Sequence, residues 1–264
     1  MSHRPRKRFG QNFLRDSGII QRIVETVAPR PGDAMVEIGP GRGAITRGLL
    51  KAAGRLEVVE LDRDLIQPLA ESCAGLGDLQ IYSADALQFD FCRLVEADRK
   101  LRLVGNLPYN ISTPLLFHLL DQAHCIQEMY FMLQKEVVDR MAAEPGTKTY
   151  GRLSVTLQAR CSVEPLFTIS AAAFQPQPKV ESGLVRLIPY RPARFTIDDK
   201  DLFERLVSQA FSQRRKTLRN GLRKLVSAEQ MEACHIDPAM RAERLEIADF
   251  VRLANAACKI APVA

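Results

Sequence analysis

The sequence predicts a doubly wound α/β sheet followed by a small C-terminal all-helical domain. Three observations predict it. Apolar runs of strand length alternate with helix-length amphipathic segments through the first two thirds of the 264 residues. Pro189 and Pro192 then punctuate the chain, and beyond Asp198 only helical patterning remains. The expected division is a sheet domain over residues 1–192, with a basic arm at 1–15, and a helical domain over 193–264; the length suffices for one large core and one small one.

The strands, in order, are AMVEIG, RLEVVEL, LQIYSA, LRLVGN and IQEMYFML, beginning at residues 34, 55, 79, 101 and 126. Between them TRGLLKAAG, RDLIQPLAES and PLLFHLLDQA read as helices, the last with Thr113 as its cap and Pro114 at its first helical position. Such repeated units build a parallel sheet, whose ligands bind at the carboxyl ends of its strands. EPLFTIS and ESGLVRLIPY read as two closing strands, and Ser227 with Gln230 forms a capping box ahead of MEACHI.

Composition narrows the class. Hydrophobic content of 46% and charged content of 26% are those of an ordinary globular protein. The six cysteines contain no CxxC pair and the four histidines do not cluster with them, so no metal site and no disulfide is expected. No apolar run reaches the ~18 residues of a membrane span, and the basic start lacks the apolar stretch of a secretory signal, which points to the cytoplasm. The net charge of +6 is concentrated in two places. Residues 1–15 hold Arg4, Arg6, Lys7, Arg8 and Arg15 without an acid, and residues 211–224 hold Arg214, Arg215, Lys216, Arg219, Arg223 and Lys224 without an acid. Outside these eleven, 26 basic residues face 31 acidic ones, so a polyanion is expected to dock at the two clusters. A basic tail and a solvated helix face are the plainer reading.

The strand tips carry the chemistry. In VEIGPGRGAIT, Gly39, Gly41 and Gly43 let the backbone approach a ligand, in the spacing GxGxG where a dinucleotide fingerprint has GxGxxG; the departure fits a cofactor without a pyrophosphate. Glu60 ends the second strand, where an acid accepts hydrogen bonds from both hydroxyls of a ribose. Asp62 reads as a solvated or capping acid. Asp85 ends the third strand, placed either for an adenine amine or as a helix cap. Together these describe an adenosyl site without a phosphate clamp, which S-adenosylmethionine fits.

The fourth tip, GNLPYN, is the most specific; composition alone yields an N-x-P-Y pattern about 0.005 times in such a chain. An adenine amine is a poor nucleophile because its lone pair is drawn into the ring. The Asn106 side-chain oxygen and the Leu107 carbonyl, held outward by Pro108, can each accept one amine hydrogen and turn the lone pair toward a methyl sulfonium. Tyr109 can stack on the extruded base. Phe174, in AAFQPQPKVES, is a candidate for the other side of the base, stiffened by Pro176 and Pro178. Ordinary core packing for Tyr109 and a rigid connector around Phe174 are the competing readings.

GQNFL at 10–14, EIGPGRGAIT at 37–46, VVELD at 58–62, GNLPYNIST at 105–113 and FQPQPKVES at 174–182 together resemble the KsgA-type ribosomal RNA adenine dimethyltransferases, from end to end. The resemblance implies a class I methyltransferase sheet and dimethylation of two adjacent adenines in a hairpin loop near the 3′ end of 16S rRNA. It also implies a role in small-subunit biogenesis, with the substrate within an immature 30S subunit, and a monomeric enzyme. Carried over residue by residue, it implies cofactor contacts from Asn12, Leu14, Gly39, Glu60, Asp85 and Asn106, and base stacking by Tyr109 and Phe174. Macrolide-resistance methyltransferases of large-subunit rRNA share these motifs. A non-catalytic RNA-binding assembly factor is the alternative of another class, opposed by the intact Asn106, Pro108 and Tyr109. DNA adenine methyltransferases more often carry two prolines in this tetrad, and a nicotinamide oxidoreductase lacks the glycine spacing seen here.

Overall fold

The computed structural model describes residues 12–96, 99–213 and 215–258. Nine strands occur among them, seven in one sheet: β2 (Ala34–Ile38), β3 (Arg55–Glu60), β4 (Asp78–Ser83), β5 (Leu101–Asn106), β6 (Ile126–Gln134), β7 (Cys161–Ile169) and β9 (Ser182–Pro189), in the spatial order β4-β3-β2-β5-β6-β9-β7. The other two, β1 (Phe13–Leu14) and β8 (Phe174–Gln175), pair with each other in a short antiparallel ribbon. β2 to β6 are parallel, but β9 runs antiparallel to β6, so the sheet is mixed where the sequence predicts a parallel one. The order reverses between β2 and β5, and this switch point opens a crevice at the carboxyl ends of the two strands.

α1 (Ser17–Val27), α2 (Thr46–Ala53), α3 (Arg63–Cys73) and α4 (Ser112–Asp121) accompany the sheet. Asp16 caps α1 by accepting from the Ile19 amide at 2.9 Å, and Ile23 and Val27 bury one face of that helix. α4 differs in its start from the sequence expectation. It begins at Ser112, and the residue before it, Ile111, makes no side-chain cap bond, so Thr113 is inside the first turn and not the cap. Pro114 occupies the third helical position, where its missing N–H has no intrahelical acceptor to lose. Across β5, β6 and β9, Arg102 pairs with Glu128 at 2.7 Å and with Asp33, and Arg186 pairs with Glu128 at 2.7 Å. Against the desolvation of burial, the guanidinium groups of Arg186 and Arg102 hold the Glu128 carboxyl below its usual range.

The remaining helices are α5 (Lys135–Met141), α6 (Arg152–Gln158), α7 (Lys200–Ser212), α8 (Leu218–Leu222), α9 (Ala228–Ala233) and α10 (Ile247–Cys258). The chain forms two compact units, but not with a single division at 192. One unit runs to Val138 and takes in Glu164–Pro189; the other joins Asp139–Val163 to the chain from Tyr190 onward. Tyr150, Val155 and Ala159 explain the difference, because they are buried in the same apolar cluster as Leu206 and Phe250, and the Tyr150 hydroxyl donates to the Leu245 carbonyl at 3.0 Å. The Ser227–Gln230 capping box forms as expected at the start of α9.

The cysteines depart from expectation. Cys92 and Cys125, 33 residues apart, form a disulfide, and His124 lies beside them. Distance along the chain hides this proximity, since the two segments meet only where the connection after β4 passes the turn into β6. Among the described residues no helix is long and apolar enough to cross a membrane.

Candidate active site

A cleft of about 350 Å³ opens over the carboxyl ends of β2, β3 and β5. All seven residues expected to contact a cofactor, Asn12, Leu14, Gly39, Gly41, Glu60, Asp85 and Asn106, line it, together with Leu107, Pro108 and Tyr109.

The glycine loop follows β2 with Gly39, Gly41 and Gly43 at φ +69°, +59° and +74°, a region that side-chain-bearing residues avoid. The want of side chains also makes room. A Cβ on Gly41 would stand 3.1 Å from the Phe13 ring, and one on Gly43 would stand 2.8 Å from Leu69. Glu60 holds this loop, since its Oε2 accepts from the Gly41 amide at 3.0 Å and its Oε1 from the Asp62 amide at 2.8 Å. Burial raises the pKa of Glu60, an effect opposed by hydrogen bonds from the Asp62, Gly41 and Leu61 amides. Asp62 caps α3 and is buried, so of the two readings the capping one applies. Asp85 is not a helix cap: its Oδ1 accepts from the Leu87 amide at 2.9 Å in a turn that no helix follows, and it faces the cleft beside Ala86 and Leu87.

At the corner after β5 the Asn106 amide donates from Nδ2 to the Asn12 carbonyl at 2.9 Å. A backbone carbonyl only accepts, so this contact fixes which end of the amide is the NH₂ group and turns Oδ1 the other way. The Leu107 amide donates to the Met132 carbonyl at 3.1 Å, anchoring the corner to β6. Tyr109 is half-buried, and its hydroxyl and that of Ser182 on β9 are hydrogen-bonded at 3.0 Å. The bond fixes the far end of the ring without covering its faces.

Phe174 is placed otherwise. It is 4% exposed, pairs across the β1–β8 ribbon with Leu14, and belongs to the apolar cluster of Tyr130 and Met132; it does not line the cleft. Phe174 thus packs beneath the ribbon and lies apart from the cleft where the sequence places it against the base. Of the basic candidates, Arg215, Lys216, Arg219, Arg223 and Lys224 are all exposed. They do not share one helix: α7 ends at Ser212, and α8 is anchored separately by the buried Leu218 and Leu222. Arg4, Arg6, Lys7, Arg8 and Arg214 lie outside the described residues.

The cleft also contains residues the sequence reading passed over. Phe13 and Arg42 stack over one another at 4.6 Å, and Leu61, 49% exposed, offers an apolar edge. Glu37 is 1% exposed with its Oε2 unpaired. Burial, reinforced by the Glu60 charge and opposed by Thr46 and Arg47, pushes its pKa up to about 8. Its signal was an ionisable residue near the end of an otherwise apolar strand. The volume, the glycine cradle and the buried ribose-side acid fit an adenosyl cofactor.

The sequence matches the profile of a family described as "Ribosomal RNA adenine dimethylase" over residues 2–259. It is 55% identical to "Ribosomal RNA small subunit methyltransferase A" of Pseudomonas aeruginosa over 96% of this chain and 94% of that protein, and 54% identical to the protein of the same name in Nitrosococcus oceani over 96% of each. Its fold resembles the crystal structure of a dimethyladenosine transferase from Plasmodium falciparum, with a TM-score of 0.78 at 26% identity, covering 91% of this chain and 95% of that one. It also resembles the 23S rRNA methyltransferase ErmE, with a TM-score of 0.73 at 24% identity, over 94% of this chain and 100% of that one. The mixed seven-stranded sheet followed by helices is therefore a class I methyltransferase fold. With its profile matched almost from end to end and close relatives aligned over nearly their whole length, the chain belongs to the ribosomal RNA adenine dimethylase family, enzymes that draw their methyl groups from S-adenosylmethionine.

Proposed function

We propose that this enzyme methylates the exocyclic amines of two adjacent adenines in the 3′-terminal hairpin loop of 16S rRNA, giving N6,N6-dimethyladenosine. It acts as a monomer on RNA within an immature 30S subunit and serves small-subunit biogenesis. The names of its 55% and 54% identical relatives support the small-subunit substrate. The observation that carries the chemistry is the fixed orientation of the Asn106 amide.

S-adenosylmethionine supplies an electrophilic methyl group on a positively charged sulfur. Glu60 receives the ribose hydroxyls, Asp85 the adenine amine, and the glycine loop lets the backbone close on the cofactor. Asn12 and Leu14 close the cleft from the ribbon side. For the target base, Asn106 Oδ1 and the Leu107 carbonyl accept the two amine hydrogens, which localises the nitrogen lone pair away from the ring. Pro108 holds φ at the corner, and Tyr109, tethered to Ser182, gives the base a stacking face. No side chain need act as a strong base. The leaving group would be a neutral thioether, and the amine, made acidic by methylation, would release its proton to water, so positioning by these residues supplies most of the acceleration.

The test is to incubate the protein with labelled S-adenosylmethionine and either unmethylated small subunits or large subunits, then to digest the RNA and identify the labelled nucleoside. Dimethyladenosine from the 3′-terminal hairpin of 16S rRNA is expected. Label confined to large-subunit RNA, or none in either, overturns the proposal.

A further inference from the structure

Three side chains outside the cleft meet at the opposite end of the strands. Cys92 lies in the turn Phe91–Leu94 after β4, while His124 and Cys125 lie in the turn Ala123–Cys125 that leads into β6. Their sulfur and imidazole nitrogen atoms all fall within 4.8 Å of one another, with Cys92 Sγ 3.4 Å from His124 Nε2. The rest of the fold prepares this meeting. Gln122 Oε1 accepts from the Phe91 amide at 2.6 Å and holds the two turns together, and Lys100 Nζ donates to the His124 carbonyl at 2.8 Å, holding that turn by its backbone while leaving the imidazole unengaged by this bond. Cys125 is buried, Cys92 half-buried and His124 exposed, so the group has a fixed inner wall and an open side.

Two thiolates and an imidazole are the donor set of a soft or borderline cation, above all Zn²⁺. In a tetrahedral zinc site, bonds of about 2.3 Å to sulfur and about 2.0–2.1 Å to nitrogen set the sulfur–nitrogen edge near 3.5 Å and the sulfur–sulfur edge near 3.7 Å. The Cys92–His124 separation of 3.4 Å already matches the first edge. Only the sulfurs must part, as they do when their bond is reduced. We propose that Cys92, His124 and Cys125 form a Zn²⁺ site in the reduced protein, with water in the fourth position, and that the metal and the disulfide are alternative occupants of this site.

The chemistry balances. A phosphine reductant passes two electrons to the disulfide and takes an oxygen atom from water, whose two protons go to the sulfurs, giving two thiols and a phosphine oxide. Zinc then displaces both thiol protons, so up to two protons are released for each ion bound.

The test uses the full chain, reduced with a phosphine and desalted without air, then dialysed against Zn²⁺ or against Co²⁺ as a spectroscopic probe. One equivalent of zinc is expected in the reduced protein and none in the oxidised protein, with a thiolate-to-cobalt charge-transfer band when cobalt replaces it. Cys92→Ser and Cys125→Ser should lose the bound equivalent. His124→Ala should weaken binding by about tenfold or more, at least what is lost when only an outer-shell partner is removed. A measurement on the unaltered protein guards against misfolded variants: bound zinc should protect Cys92 and Cys125, but not Cys234 or Cys258, from alkylation. Absence of zinc retention by the reduced protein, equal alkylation with and without zinc, or unchanged stoichiometry in both cysteine variants each overturns the proposal.

Discussion

Among single residues, Asn106 is the one on which the proposed chemistry turns. Its amide is oriented by one backbone carbonyl, so its acceptor oxygen is in place before a base arrives. Asn106→Ala should lower the rate of methyl transfer by roughly 10² to 10³-fold, the usual cost of removing one preorganised group, while cofactor binding stays measurable by calorimetry. Turnover near the original rate in that variant would assign the amine's acceptor elsewhere. Glu60→Ala should weaken cofactor binding by about 100-fold or more, since two charge-assisted hydrogen bonds are lost together with the tether on the Gly41 amide. Glu37 adds a pH dependence. With its pKa near 8 in the folded protein and about 4.3 in the unfolded chain, the folded state binds the proton more tightly, so stability falls as pH rises through this window. Glu37→Gln should flatten that slope in denaturant titrations at pH 5, 7 and 9; an unchanged slope would assign it to other groups. The meeting of Asn106, Glu60, Asp85, Gly39 and Gly41 at one cleft was legible, because these residues are chemically distinctive at strand ends. The placement of Phe174 was not, because an aromatic ring reads alike whether it faces a base or a core.

At the scale of elements, the corner after β5 is rigid because three neighbours hold it. Met132 on β6 takes the Leu107 amide, Ser182 on β9 is bonded to the Tyr109 hydroxyl, and Asn12, next to β1, takes the Asn106 amide. The antiparallel β9, which lies between β6 and β7 in the sheet, therefore helps to hold the corner that lines the cleft. The Glu128 cluster ties β5, β6 and β9 at their other end, and Glu128→Ala should cost about 1–3 kcal/mol of stability, because Arg102 loses one charged partner but keeps Asp33. Equilibrium unfolding in urea measures it, and a loss well under 1 kcal/mol would mean that water reaches the guanidinium. The strands of the sheet were legible from apolar runs, and α1 carries its own signal in Asp16 and the spaced Ile19, Ile23 and Val27. The two-residue strands β1 and β8 carry none, since so short a pairing is defined only by its partner.

For the whole molecule, charge and topology divide the work. The sheet unit contains the cleft, and the helical unit carries five exposed cations from Arg215 to Lys224. If about six of the clustered charges meet phosphates, RNA affinity should fall by roughly 10³ between 50 and 200 mM salt in a filter-binding assay, and a flat response would remove the clusters from the interface. By itself the sequence determined the sheet class, the cofactor type and which strand tips meet at the cleft. Those depend on local periodicity and on distinctive residues at strand tips, which survive being read in one dimension. Only the tertiary structure decided that Phe174 packs in the core, that residues 139–163 join the helical unit, that β9 runs antiparallel, and that Cys92 meets His124 and Cys125. Each is a contact between segments distant in the chain, and chain distance carries no information about which buried surfaces satisfy one another.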